Sequence, residues 1–110
     1  MTESSPFSVL SKLLQPYAKK MIVKHNTDSN FYLEETLSSD KPQMFGAAQI
    51  KKNYTSFHLF PVYCHPELLT DISDELRKRM QGKSCFNFKN AEQVPVTELK
   101  KLVKRAFETL

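Results

Sequence analysis

Two periods of apolar spacing divide this chain. Phe7, Leu10, Leu13 and Leu14 recur at intervals of three and four residues and predict a helix with one stripe turned to a core. Ser5-Pro6 marks its start, a hydroxyl N-cap followed by proline at the first helical position. Pro16 interrupts, so the helix either ends near Gln15 or restarts for a final turn at Pro16. From Met21 the period drops to two. Met21, Val23 and His25 alternate with Ile22, Lys24 and Asn26, then Phe31, Leu33 and Glu35 alternate with Tyr32, Glu34 and Thr36, which predicts two strands around the turn Asp28-Ser29-Asn30.

A third strand is expected from about Gln43 to Lys51, thin at Gly46, Ala47 and Ala48, where small residues mark a close approach by another backbone or a helix. Lys52-Asn53 reads as a tight hairpin turn, with Asn supplying a positive φ. Tyr54 to Phe60 is the fourth strand, ended by Pro61. Pro66-Glu67 opens a helical segment recapped at Ser73-Asp74-Glu75, with Leu76 and Met80 inward and Gly82 as its stop. Ser84 to Lys89 is a fifth strand. Pro95 starts a last helix whose stripe is Leu99, Leu102, Val103, Ala106 and Leu110. The order α-β-β-β-β-α-β-α predicts an α+β fold, a five-stranded antiparallel sheet with helices on one face and the other face at least partly open.

At 110 residues this is one domain, 1–110, with a single core. Its Phe and Tyr side chains supply enough bulk to close that core without disulfides. Met1 to Pro6 lacks the charged and apolar regions of a signal peptide, and no apolar run reaches bilayer length, so the expectation is a cytoplasmic protein with Cys64 and Cys85 reduced and no membrane contact. The net charge of +4 is scattered in short groups such as Lys51-Lys52 and Arg77-Lys78-Arg79. A nucleic-acid surface needs denser charge interleaved with exposed aromatics, so none is expected.

The candidate chemistry falls between Tyr54 and Phe88. Alternation in the fourth strand sends Phe57 and Leu59 to one side and Ser56, His58 and Phe60 to the other. If Phe86 and Phe88 of the fifth strand face the core, Cys85 and Asn87 join the open side, beside His58 if the two strands are neighbours. Such a face has several readings. His58 can simply finish the sheet surface by bonding backbone or Asn87. The face can bind a small ligand or a protein partner, with His58 and Asn87 as polar contacts, Cys85 on the same face, and Phe60 and Tyr63 as apolar area. It can hold a metal through His58, Cys64, His65 or Cys85, although neither Cys-x-x-Cys nor His-x-x-x-His spacing occurs. A Cys85–His58 nucleophile pair is the enzymatic reading, and it lacks an evident orienting acid or oxyanion hole. Between strand and helix, His65 either caps the helix that Pro66 begins or assists an anion there. Gly82-Lys83-Ser84 is no phosphate loop, because Arg77 stands where the first glycine belongs and a strand follows. The expectation is a non-catalytic binding domain, monomer or homodimer, without a cofactor.

Ser56-Phe57-His58-Leu59 and Gly82-Lys83-Ser84-Cys85-Phe86-Asn87-Phe88 carry a resemblance. Leu14-Gln15-Pro16-Tyr17-Ala18, Phe45-Gly46-Ala47, Pro66-Glu67-Leu68-Leu69 and Lys78-Arg79-Met80-Gln81 support it. In these stretches the chain resembles the bacterial YdhG-like family, a domain of unknown function. That resemblance implies a compact α+β domain of frataxin-like architecture and, as an alternative role, an iron-binding chaperone for iron–sulfur or haem assembly. Frataxins hold iron on acids of the first helix and the adjoining strand edge. Here that helix offers Ser8, Ser11, Lys12 and Gln15, with Glu3 before it. Glu34 and Glu35 fall on opposite faces of a strand, and Asp74-Glu75 suits a helix N-terminus. No family metal ligand maps onto this chain.

Overall fold

The computed structural model describes residues 5–110, so Glu3 and the rest of the first four positions lie outside it. The elements are α1 (Pro6–Leu14), β1 (Ile22–Asn26), β2 (Asn30–Glu35), β3 (Gln43–Ile50), β4 (Thr55–Leu59), α2 (Phe60–Cys64), α3 (Asp74–Arg77), β5 (Cys85–Phe88) and α4 (Val96–Glu108). Short 3-10 segments cover Gln15–Lys20, Pro66–Leu69 and Ala91–Gln93. Short turns join β1 to β4, and the sheet keeps chain order, β1-β2-β3-β4-β5, with every pair antiparallel. The fold is α+β.

Local chemistry accounts for most boundaries. The Ser5 hydroxyl accepts the Ser8 N–H at 3.0 Å, and Pro6 occupies the first turn, where its missing N–H costs nothing. At Pro16 both expected outcomes occur: α1 ends at Leu14 and a 3-10 segment continues to Lys20. The Ser73 hydroxyl caps α3 through Leu76 N–H, and Asp74 and Glu75 lie in its first turn, as the helix dipole favours. Glu98 of α4 ties this corner down by accepting from both the Ser73 amide and the Ser73 hydroxyl.

Leu10 and Leu14 of α1 and Leu99, Val103 and Ala106 of α4 pack over Leu33, Phe57, Leu59, Phe86 and Phe88, all of them buried. The thin middle of β3 has the expected cause. A Cβ on Gly46 would lie 3.0 Å from Leu14 Cδ2 and 3.1 Å from the His58 carbonyl oxygen. Only glycine lets α1 sit this close to the sheet.

Several expectations change. The register of β2 on β3 slips between Leu33 and Glu34, where Phe45 is the extra residue of a bulge. Phe45 is thereby fully buried, with its ring against Tyr17 and Phe107. Among the described residues no non-glycine residue has positive φ, so the turn at Lys52-Asn53 closes without the expected left-handed Asn; the Lys51 N–H meets the Tyr54 carbonyl at 2.7 Å. The fourth strand stops at Leu59, and α2 begins at Phe60, with Pro61 in its first turn. A proline that ends a strand is equally suited to open a helix. Finally, α3 ends at Arg77, and Gly82 does not stop it. Gly82, at φ +90°, reverses the chain between residues 79–81 and β5. Those residues extend the sheet: Asn87 N–H donates to the Arg79 carbonyl, Gln81 N–H donates to the Cys85 carbonyl, and Met80 bridges Phe86.

Candidate functional site

Register decides the open face. His58 lies opposite Cys85, and Ser56 lies opposite Asn87. Their in-between neighbours Phe57 and Phe86 are fully buried, so His58, Cys85, Ser56 and Asn87 share the opposite face. The same parity carries across β3 and β2. Ala47 faces His58 and Tyr32, while Gln49 faces Ser56 and Asn30. Two rows therefore cross the sheet, one interrupted by the buried Ala47 and one polar throughout, and Gln49 Nε2 donates to Asn30 Oδ1 at 3.2 Å within the polar one.

The centre is a contact triad. Cys85 Sγ lies 3.9 Å from His58 Nε2, and its S–H donates to Asn87 Oδ1 at 3.5 Å. Burial holds the His58 imidazole below its ordinary pKa, and the Lys51 ammonium adds to that depression. Burial also pushes the Cys85 thiol up, against a smaller opposing pull from Lys51. Both shifts favour the uncharged forms. The pair at neutral pH is thus a thiol beside a neutral imidazole and not a preformed thiolate–imidazolium pair.

Ser56 departs from the simple picture of an exposed face. It is 2% exposed, and its Oγ finds no hydrogen-bond partner among the described residues. A buried hydroxyl without a partner costs free energy, so its presence here asks for a reason outside packing.

Phe60 and Tyr63 do not border this triad as a strand edge would. Phe60 is the first residue of α2, not the last of β4, so strand alternation does not place it beside His58. Its ring stacks on Tyr63 with centroids 5.8 Å apart, and Lys83 Nζ sits over Tyr63 at 5.9 Å. Phe60 lines a different groove, with Cys64, His65, Gln43, Leu110 and Glu35. In that groove the buried Glu35 carboxylate is consumed by the loop after β2, accepting from the Leu37 and Ser38 amides and the Ser38 hydroxyl. His65 makes no side-chain cap; its Nδ1 lies 3.4 Å from Glu67 Oε2.

The metal reading needs ligands that converge. Cys64 and His65 line the α2 groove, apart from the His58–Cys85 pair, and among the described residues no group of three or more His, Cys, Asp or Glu side chains gathers. Glu34 pairs with Lys24 at 3.4 Å on one side of β2, while Glu35 is buried on the other. Cys64 and Cys85 are both free thiols. No described helix is long and apolar enough to cross a membrane.

Sequence reasoning missed the outer border of the face. Arg79 and Gln81 flank Met80, which pairs with the core residue Phe86, so they lie on the open side beside Asn87 and Cys85. Strand alternation already set Lys89 on the side of Cys85 and Asn87, and Tyr54 carries the same parity as Ser56. No family model, curated protein or solved structure matches the chain.

Proposed function

We propose that this chain is a small binding domain without chemistry of its own, which contacts a ligand or partner through the open face around His58, Cys85 and Asn87. The observation that carries the reading is the polar cluster on β4 and β5: a neutral imidazole, a thiol, a carboxamide and the unpartnered Ser56 hydroxyl, held on two strands whose reverse side is packed. Rigid placement of a few directional groups is what selective binding needs. The raised thiol supports a role without a preformed thiolate nucleophile at neutral pH. Phe60 and Tyr63 then form a separate apolar contact on α2. Two free thiols fit a reducing compartment, which supports a cytoplasmic setting.

The test is an NMR fragment screen on the full chain. Hits should shift the amides of residues 56, 58, 85 and 87, and His58→Ala together with Asn87→Ala should abolish them. Hits confined to the groove lined by Phe60, Cys64 and His65 overturn the assignment. The YdhG-like resemblance remains a proposal supported by the α+β class. Its iron-carrier role has its own measurement, titration with ferrous iron by calorimetry, and absence of binding tighter than millimolar removes that role.

A further inference from the structure

The open face ends in a pocket of about 300 Å³ where residues 78–81 run beside β5. Lys78, Arg79 and Lys89 line it with Tyr54, Gln81 and Asn87, and no acidic side chain lines it. This distinguishes it from the groove along α4, where Lys101 and Arg105 are offset by Asp71 and Glu98. Arg79 is half-buried, and its Nε is shielded from solvent without a hydrogen-bond partner. Neither ion pair among the described residues involves it. An arginine at a sheet edge with no carboxylate partner keeps its remaining guanidinium donors available to an anion. The second silent group is next door: the Ser56 hydroxyl stands opposite Asn87, and Asn87 donates its backbone N–H to the Arg79 carbonyl. An unpartnered Arg79 donor therefore stands at the wall of a cationic pocket, and the unpartnered Ser56 hydroxyl lies one strand inward, opposite Asn87.

We propose that this pocket binds the phosphate of a small aromatic or nucleoside phosphate monoester. This rests on the reading of the open face as a binding surface and names the ligand class. The guanidinium fork matches two phosphate oxygens, Lys78 and Lys89 balance the remaining charge, and Gln81 and Asn87 add neutral hydrogen bonds. Three cations suit a dianion better than a single carboxylate, and a phosphate monoester carries about −1.5 to −2 at neutral pH. The pocket has room for more than the phosphate, and Tyr54, partly exposed at its wall, offers a ring face to the organic group.

The probe is phenyl phosphate, titrated into the full chain by ¹H–¹⁵N NMR at low salt, with inorganic phosphate, benzoate and benzyl alcohol beside it. Phenyl phosphate is expected to shift the amides of residues 79–81 and 87–89, to bind more tightly than the other three, and to weaken as salt rises. Arg79→Gln should weaken it tenfold or more, and Arg79→Lys should weaken it several-fold by losing the fork. Lys101→Gln with Arg105→Gln should leave it unchanged. Arg79→Gln should melt no lower than the parent, a result a purely structural arginine would not give. If Arg79→Gln fails to fold, Arg79→Lys decides. Unchanged affinity in the folded variant, shifts centred on α4, or tighter binding of benzoate overturns the proposal. Neutral fragments that bind at His58 and Asn87 while phenyl phosphate does not would end the anion assignment and leave the binding face standing. No ligand of any kind on the face ends both.

Discussion

The two sides of β4 and β5 differ in one respect that matters more than polarity. On the covered side every large group is enclosed by others: Phe57, Leu59, Phe86 and Phe88 are fully buried beneath α1 and α4. On the open side the same two strands carry side chains that the fold does not finish using. The Ser56 Oγ is unpartnered, the Cys85 thiol and His58 imidazole meet only loosely at 3.9 Å, and the Arg79 Nε beyond them is silent. One backbone ladder thus supports a surface optimised for stability and a surface that gives some of it up. Such unfinished polar groups are where a folded protein most often keeps its capacity to bind.

Substitutions sharpen this contrast by their size. Phe86→Ala should cost about 3–5 kcal/mol in urea denaturation, because it opens a cavity in the packed side. Loss of less than about 1 kcal/mol would show that the two faces do not differ in this way. Gly46→Ala should cost about 1–3 kcal/mol, since the new methyl meets both the Leu14 side chain and the His58 carbonyl, and the latter belongs to a sheet backbone that cannot yield. Ser56→Ala, one residue from the core residue Phe57, should be neutral or stabilising by up to about 1 kcal/mol, since it removes a buried hydroxyl that has no partner. A clear destabilisation would reveal a hydrogen bond and restore Ser56 to the structural side.

The smallest effects are those of pH. The folded His58 pKa lies below its unfolded value, so the unfolded chain takes up this proton first as pH falls. Its contribution should be intact above about pH 6.5 and decline as pH drops through that value toward the folded pKa. The decline should vanish in His58→Gln, measured as the difference between the two melting curves over pH. Cys85 has the opposite sense: its folded pKa is raised, so stability falls as pH rises past the unfolded thiol value. In thiol-modification kinetics at pH 7, exposed Cys64 should react faster than Cys85. Faster reaction at Cys85 would mean an activated thiol and would reopen the enzymatic reading.

Strand alternation is a short-range property, and it was legible. Phe57, Leu59, Phe86 and Phe88 read as core, which placed His58, Cys85 and Asn87 together on the other face before any pairing was known. The Ser5 and Ser73 caps were legible for the same reason, since a hydroxyl reaches an amide only three residues away. Phe60 was misplaced because Pro61 is compatible both with a strand end and with a first helical turn, and the choice between them is made by where the chain must go next.

What the amino-acid order determined by itself was the α+β class, the sequence of its main elements and the sidedness of β4 and β5, because each depends on neighbours within a few residues. Tertiary structure decided the bulge that turns Phe45 into the core and the conversion of residues 79–81 from an expected helix end into a sheet edge. It therefore also decided that Arg79 stands beside Asn87. These outcomes rest on hydrogen bonds between segments whose meeting is set by packing of the whole chain, and no local pattern of residues encodes the partner that a strand edge will find.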